Sequence, residues 1–250
     1  MHENKISEGT RQKFQDDGFF VLEKVISDDE LTALRDECQR FIHKRDDEMT
    51  AAGTDVMGLD QRGRRYFVND CSAERPRLRR FVFGELMAEI CRATLGDDAY
   101  LFNDQYVVKG AEAGTKFEWH QDSGYVGYPH APYLTCWCPL DDVSEANGTV
   151  YLLPYDRAGT RDVVPHRRDD KTNDMVGYFG SDPGMPVNVP AGSLACFSST
   201  LFHRSGPNTT PQLRRAYVVQ YSPEPILTED RSRIRHQAVR FLEGGARRPA

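Results

Sequence analysis

No run of apolar residues in this 250-residue chain is long enough to cross a bilayer as a helix. The first residues, Met1–His2–Glu3–Asn4–Lys5, also lack the basic-then-apolar order of a secretory leader. A cytoplasmic protein is therefore expected, neither membrane-bound nor exported. A surplus of positive charge is missing too: 32 Lys and Arg stand against 38 Asp and Glu, a net charge of −6. Broad nucleic-acid binding relies on clustered cations that neutralise phosphates, so that class is disfavoured. The six cysteines are scattered, with Cys136 and Cys138 flanking Trp137 in a strand-like run. Buried free thiols are expected in place of a disulfide framework. Internal repeats and low-complexity tracts are absent as well, and nothing specifies an oligomeric state.

What is present suits one globular domain. Hydrophobic residues at 39% suffice for a core. A β-barrel or jelly roll of this length is commonly a single domain. The chain is organised around Phe117–Glu118–Trp119–His120–Gln121–Asp122. In an extended strand His120 and Asp122 project from one face, Trp119 and Gln121 from the other. An imidazole beside a carboxylate makes two legs of a metal site, and His203 in Leu201–Phe202–His203–Arg204–Ser205–Gly206 offers the third. Two His and one carboxylate on one face of an octahedral ion leave positions open for a cosubstrate and O₂. A His-x-Asp pair alone recurs by chance, and both histidines read equally well as surface or capping residues.

The surroundings add weight. Eleven residues after His203, Leu213–Tyr221 alternates like a half-buried strand. Arg214, Ala216, Val218 and Gln220 share one face; Arg215, Tyr217, Val219 and Tyr221 share the other. An inward Arg214 with a small Ala beside it makes a fork for a carboxylate.

His-x-Asp, a distant His followed by x-Ser-Gly-x-Asn, and Arg eleven residues beyond that His together resemble the phytanoyl-CoA dioxygenase family. The resemblance runs from about Phe14 to about Pro225 and takes in the Asn147–Gly148 turn. It implies a double-stranded β-helix (a cupin-like jelly roll) that is mainly β with flanking helices. It also implies an Fe(II)- and 2-oxoglutarate-dependent dioxygenase that uses O₂ to oxidise a C–H bond of a small-molecule substrate, releasing succinate and CO₂. The family's iron ligands fall on His120, Asp122 and His203, and its cosubstrate arginine on Arg214. Ser205 would help to hold the same carboxylate, and Trp137 would line the cosubstrate pocket. Where the family commonly reads Pro-Gly-Ser-His, this chain has Pro154–Tyr155–Asp156–Arg157.

The remaining segments read as scaffold and enclosure. Residues 14–100 form a helical flank: a short helix, a turn at Asp17–Gly18, a strand through Phe19–Leu22, then a helix opened by Ser27 with Glu30 at capping-box spacing. Asp46–Asp70, carrying Asp60, Arg62, Arg64 and Arg65, reads as a loop over the pocket mouth or a solvated charge run. A second helix from Pro76 ends near Gly96. Residues 100–225 form the core. Its entering strand turns Asn103, Gln105 and Val107 inward, placing Asn103 and Gln105 toward the cosubstrate or into hydrogen bonds within the barrel, with Lys109 at the rim. Tyr125 and Tyr128, in the turn after the two ligands, are substrate candidates; His130 beside Pro129 reads as a loop residue. Asn147–Gly148 is a turn in which both residues tolerate positive φ. The charged, Gly- and Pro-punctuated insertion 156–185 reads as a lid. The tail 228–250, with Arg231, Arg233 and Arg235, reads as a last helix with a loose end.

Two other functions share these residues. A metal-dependent hydrolase or isomerase on the same jelly roll keeps the three ligands but gives Arg214 no task. A non-catalytic small-molecule-binding relative has no reason to retain all four.

Overall fold

A computed structural model describes residues 6–112, 114, 116–170 and 174–248. The alternation read in Leu213–Tyr221 becomes strand Arg214–Ser222 at the centre of the larger of two facing antiparallel sheets. Its neighbours are Leu134–Pro139 on one side and Ala99–Lys109 on the other. The sheet continues outward through Leu194–Ser198 to Phe19–Leu22, and through Arg65–Asn69 to the short strands Asp60–Gln61 and Val56–Met57. The smaller sheet runs Met185–Pro186, Val150–Leu153, Phe202–Ser205, Phe117–His120. Trp137, Ala195, Ala216 and Val218 of the larger sheet pack against Val150 and Leu152 of the smaller. This is the expected jelly roll.

The outer face of the large sheet is covered by helices. Ser27 caps Asp28–Ala51 through a reciprocal capping box with Glu30. Leu31, Leu34, Cys38, Phe41 and Ile42 along this helix join Cys136, Tyr217, Val219 and Tyr221 in the largest apolar cluster. The two faces of Arg214–Ser222 therefore sort as the alternation predicts: Ala216 and Val218 between the sheets, Tyr217, Val219 and Tyr221 under the helices. All six cysteines are free and buried. No helix among the described residues is long and apolar enough to cross a membrane.

Several segments differ from expectation. Residues 56–69 extend the large sheet instead of forming a loop, because Asp60, only 3% exposed, accepts the Phe67 amide at 2.5 Å and pairs with Arg45 at 2.7 Å. The helix expected from Pro76 is interrupted at Gly84 into Pro76–Val82 and Glu85–Thr94. The tail does not close with a helix: Val239–Glu243 adds a strand beside the first half of Ala99–Lys109, burying Phe241 and Leu242. In the Asn147–Gly148 turn only Gly148 takes a positive φ, +81°, while the Asn147 side chain accepts from the Ser144 amide.

The insertion 156–185 is stitched to the outer face of the His120 strand. Gln121, fully buried, donates to the carbonyls of Asp162 and Thr200 and accepts from the Val164 amide. His166 accepts the Gln121 amide at 3.0 Å, and a Cβ on Gly124 or Gly177 would lie 2.5 Å from its ring. Glycine at those two positions is what lets the imidazole seat. Within the segment Arg167–Arg168 pairs with Met175–Val176 as a short ribbon. Residues 171–173 of the expected lid lie outside the described residues.

Candidate metal centre

His120 lies directly opposite His203 in the antiparallel pair Phe117–His120 and Phe202–Ser205. Cross-strand partners share a face, so both imidazoles project between the sheets, with ring centroids 4.2 Å apart. Asp122 reaches the same point by a different route from the one the spacing suggests. The strand stops at His120, Gln121 stays extended, and Asp122 is the first residue of the short helix Asp122–Val126. Its Oδ1 lies 3.5 Å from His203 Nε2 and 4.0 Å from His120 Nε2. One ligand atom from each residue falls within 4.8 Å of the others, and among the described residues no other such group is found.

The hydrogen bonds around the three prepare them for a metal. A carbonyl oxygen can only accept, so Nδ1 of His120 donates to Glu118 O at 2.7 Å and Nδ1 of His203 to Leu201 O at 3.2 Å. Both rings thereby turn an unprotonated Nε2 toward Asp122, the orientation that second partners of metal-bound histidines impose. Burial, then the nearby His203, push the His120 imidazole down to about 3. For Asp122 burial alone would raise the carboxyl; the neighbouring His203, followed by His120 and the Thr135 hydroxyl, overcomes it and holds the group at about 2. Two neutral imidazoles and one carboxylate are the donors a divalent iron takes.

Oδ2 of Asp122 is held from the opposite sheet. Thr135 Oγ1 donates to it at 2.6 Å and Gln220 Nε2 at 3.1 Å. Asn103 Nδ2 in turn donates to Gln220 Oε1 at 3.4 Å. Sequence reasoning missed the roles of Thr135 and Gln220. Gln220 carried a usable signal, since it shares the inward face of the strand with Arg214; Thr135 had none beyond its place in a strand.

The centre opens into a cavity of about 440 Å³ between the sheets. Arg214, Ser205, Trp137, Asn103 and Gln105 all line it. Arg214 is 1% exposed and has no carboxylate partner among the described residues; its Nη1 donates weakly to Val107 O at 3.4 Å and its Nε has no partner. The guanidinium sits 5.9 Å from the Trp137 ring centroid, and burial lowers it to about 10. Arg215 points the other way and holds Asp141 through two side-chain bonds, at 3.1 and 2.6 Å. An unpaired buried guanidinium lining the same cavity as the three donor residues fits a dianionic cosubstrate, one carboxylate of which Arg214 would hold.

The remaining candidates divide between the cavity and its surroundings. Tyr125 lines the cavity with its ring edge against His120 at 5.4 Å. Tyr128 does not line it; the ring packs with Phe102, Val126, Tyr133 and Ile226. His130 anchors its turn through Tyr128 O and Ser123 Oγ. Lys109 is not at the rim: its register partner is Arg214, which turns it inward, and it is 1% exposed.

A family model described as phytanoyl-CoA dioxygenase matches residues 14–216. The chain belongs to the phytanoyl-CoA dioxygenase family. The ectoine dioxygenase of Bordetella parapertussis is 31% identical over 234 residues, spanning 84% of this chain and 73% of that protein. The L-proline trans-4-hydroxylase of Streptomyces griseoviridis is 22% identical over 233 residues, with 82% of each chain covered. Among solved structures, EvdO2 from Micromonospora carbonacea var. aurantiaca complexed with 2-oxoglutarate superposes with a TM-score of 0.70 at 23% identity, covering 86% of this chain and 90% of that one. EctD from S. alaskensis with 2-oxoglutarate and 5-hydroxyectoine gives 0.64 at 24%, covering 89% and 78%. These two likenesses concern the fold. As a member of the phytanoyl-CoA dioxygenase family, the chain is an Fe(II)- and 2-oxoglutarate-dependent dioxygenase.

Two outcomes are expected. The metal-free protein binds fewer protons at His120 than its unfolded chain does below the ordinary histidine range. Its stability is therefore complete above about pH 6.5 and falls by up to about 1.4 kcal/mol per pH unit toward about pH 3. Denaturant unfolding of the metal-free protein against pH measures this, and His120→Gln should flatten the slope. Truncating one partner of a buried charge pair costs about 2–5 kcal/mol, so Arg214→Ala should raise the 2-oxoglutarate requirement about thirty- to several-thousand-fold with iron still bound. Arg215→Ala should change stability by about 1 kcal/mol and leave that requirement alone.

Proposed function

We propose that this dioxygenase hydroxylates or otherwise oxidises a C–H bond of a small molecule carrying a negatively charged group. Bound iron with 2-oxoglutarate and O₂ supplies the oxidising chemistry, with succinate and CO₂ released. The chain's own share is to hold, orient and enclose. His120, His203 and Asp122 hold the metal, with Thr135 and Gln220 fixing which carboxylate oxygen faces it. Arg214 and Ser205 hold the far carboxylate of the cosubstrate along the Trp137 wall. Phe102, Val126, Tyr133 and Phe197 line the cavity and keep water from the reacting carbon.

The charge of the remaining lining carries the substrate class. With Asp122 assigned to iron, Arg214 to the cosubstrate and the Arg204 guanidinium stacked on Tyr151 outside, Arg65, Arg168 and Arg235 stand against one carboxylate, Asp174. A cationic chamber in a chain of net charge −6 favours an anion over a neutral or cationic substrate. Arg168 and Asp174 come from the insertion, and that part of it is the proposed shelter over the substrate. The six buried free thiols support residence in a reducing cytosol. A metal-dependent hydrolase is the weaker reading because it leaves the buried Arg214 uncompensated.

Succinate release with Fe(II), O₂ and 2-oxoglutarate, measured across pairs of small anions and their neutral isosteres, tests this function. The anionic member of a productive pair should be turned over, and Arg65→Gln should raise its KM. Equal turnover of the neutral member refutes the substrate class.

A further inference from the structure

His166 belongs neither to the metal set nor to the lining of the cavity, yet two other segments make room for it. Its Nδ1 donates to Val164 O at 2.8 Å, which leaves Nε2 to accept the Gln121 amide at 3.0 Å. The ring lies between Gly124 and Gly177, with the Phe202 ring centroid 6.4 Å from its own. Neither glycine takes a positive φ, so backbone conformation does not require one at either place. Space does: an added Cβ at each would lie 2.5 Å from an imidazole atom.

Gln121 is the residue through which this ring reaches the metal centre. Phe117–His120 is the edge strand of the small sheet, and its pairing with Phe202–Ser205 ends at His120. Asp122 then follows after a single extended residue, Gln121, with φ −106° and ψ 138°. Those two angles aim the carboxylate. The fully buried Gln121 is held at every polar atom. Its carbonyl accepts from the Gly124 amide, its Nε2 donates to Asp162 O and Thr200 O, and its Oε1 accepts from the Val164 amide. Its own amide is taken by His166. Without the ring that N–H is buried with no acceptor, and the backbone at Gln121 gains by turning toward another.

We propose that His166 is a positioning residue for the iron ligand Asp122, acting through the Gln121 amide. Loss of that bond lets the backbone turn and carries Asp122 away from the two histidines. The insertion therefore has to be seated for iron to be held by all three ligands. By linkage the reverse holds too: iron on Asp122 favours the seated insertion. The same segment brings Arg168 and Asp174 into the cavity wall, so the iron-holding form is the one with that wall in place.

This inference rests on iron at His120, Asp122 and His203 and is independent of the molecule that is oxidised. Fe(II) affinity, measured without oxygen by competition with a chromogenic chelator, tests it together with the visible spectrum of the Co(II)-loaded protein. Wild-type protein that binds neither ion removes the centre itself, and this inference with it. Given wild-type binding, His166→Ala should weaken Fe(II) about ten- to hundred-fold and alter the Co(II) spectrum. His166→Gln, whose side-chain oxygen can accept the same amide, should recover most of both. Asp122→Ala also weakens iron, and adding His166→Ala to it should cost nothing further, because the ring acts through that ligand. Wild-type affinity in His166→Ala, or an equal loss in both backgrounds, overturns the proposal. If His166→Ala does not fold, hydrogen exchange in the wild-type protein decides: Fe(II) should slow the Val164 and Gly177 amides, and unchanged rates overturn it equally.

Discussion

His120 sits opposite His203 in one antiparallel pair, and that register is the constraint on which the catalytic centre depends. Side chains alternate with a period of two, so a slip of one residue would turn one imidazole out of the cavity and bring Trp119 or Arg204 in. Both of those outer-face residues are already committed elsewhere. The Arg204 guanidinium stacks 3.6 Å from the Tyr151 ring centroid and 5.2 Å from Trp119, while the Trp119 carbonyl accepts the Gly177 amide. The insertion thus helps to set the register from outside the barrel, through Gln121 and His166 as well as Trp119. A segment that looks peripheral in sequence fixes which face of the strand reaches the metal.

The second constraint runs between the sheets. The small sheet supplies both imidazoles, and the large sheet supplies Thr135, Gln220 and Asn103, which converge on the Asp122 carboxylate. Asp122 belongs to neither sheet, so these bonds are what place its free oxygen beside the two Nε2 atoms. At the other end of the same cavity the large sheet presents Arg214. One inner face therefore carries the hydrogen-bond donors that fix the Asp122 carboxylate and the cation for the diacid, separated by Val218 and Ala216, which are small enough to leave room between them.

Much of this was legible in the sequence where local pattern and tertiary role coincide. The alternation in Leu213–Tyr221 sorted Arg214 from Arg215 because one face is buried by the opposite sheet and the other by helices. The His-x-Asp pair was legible although its local geometry was not. A strand reading puts Asp122 on the inner face by period, whereas the chain does so by ending the strand and starting a helix. Lys109 was misplaced because a cation after Val107–Val108 reads as a strand end in solvent; only its pairing with Arg214 turns it inward. Residues 56–69 looked like a charged loop because the partner that permits Asp60 to be buried, Arg45, lies on a helix fifteen residues earlier. The tail read as a helix because its arginines outweighed the apolar residues Val239, Phe241 and Leu242, whose partner strand begins at Ala99. Each miss concerns a residue whose environment is set by a distant segment.

The account stands on three ligands and one arginine presenting iron and 2-oxoglutarate to a single cavity. Visible absorption of the protein under anaerobic conditions tests that most directly. A weak charge-transfer band should develop only when Fe(II) and 2-oxoglutarate are both present, and His203→Ala should lose it while remaining folded. A band that persists unchanged in folded His203→Ala, or never forms in the wild-type protein with both components bound, contradicts the assigned centre.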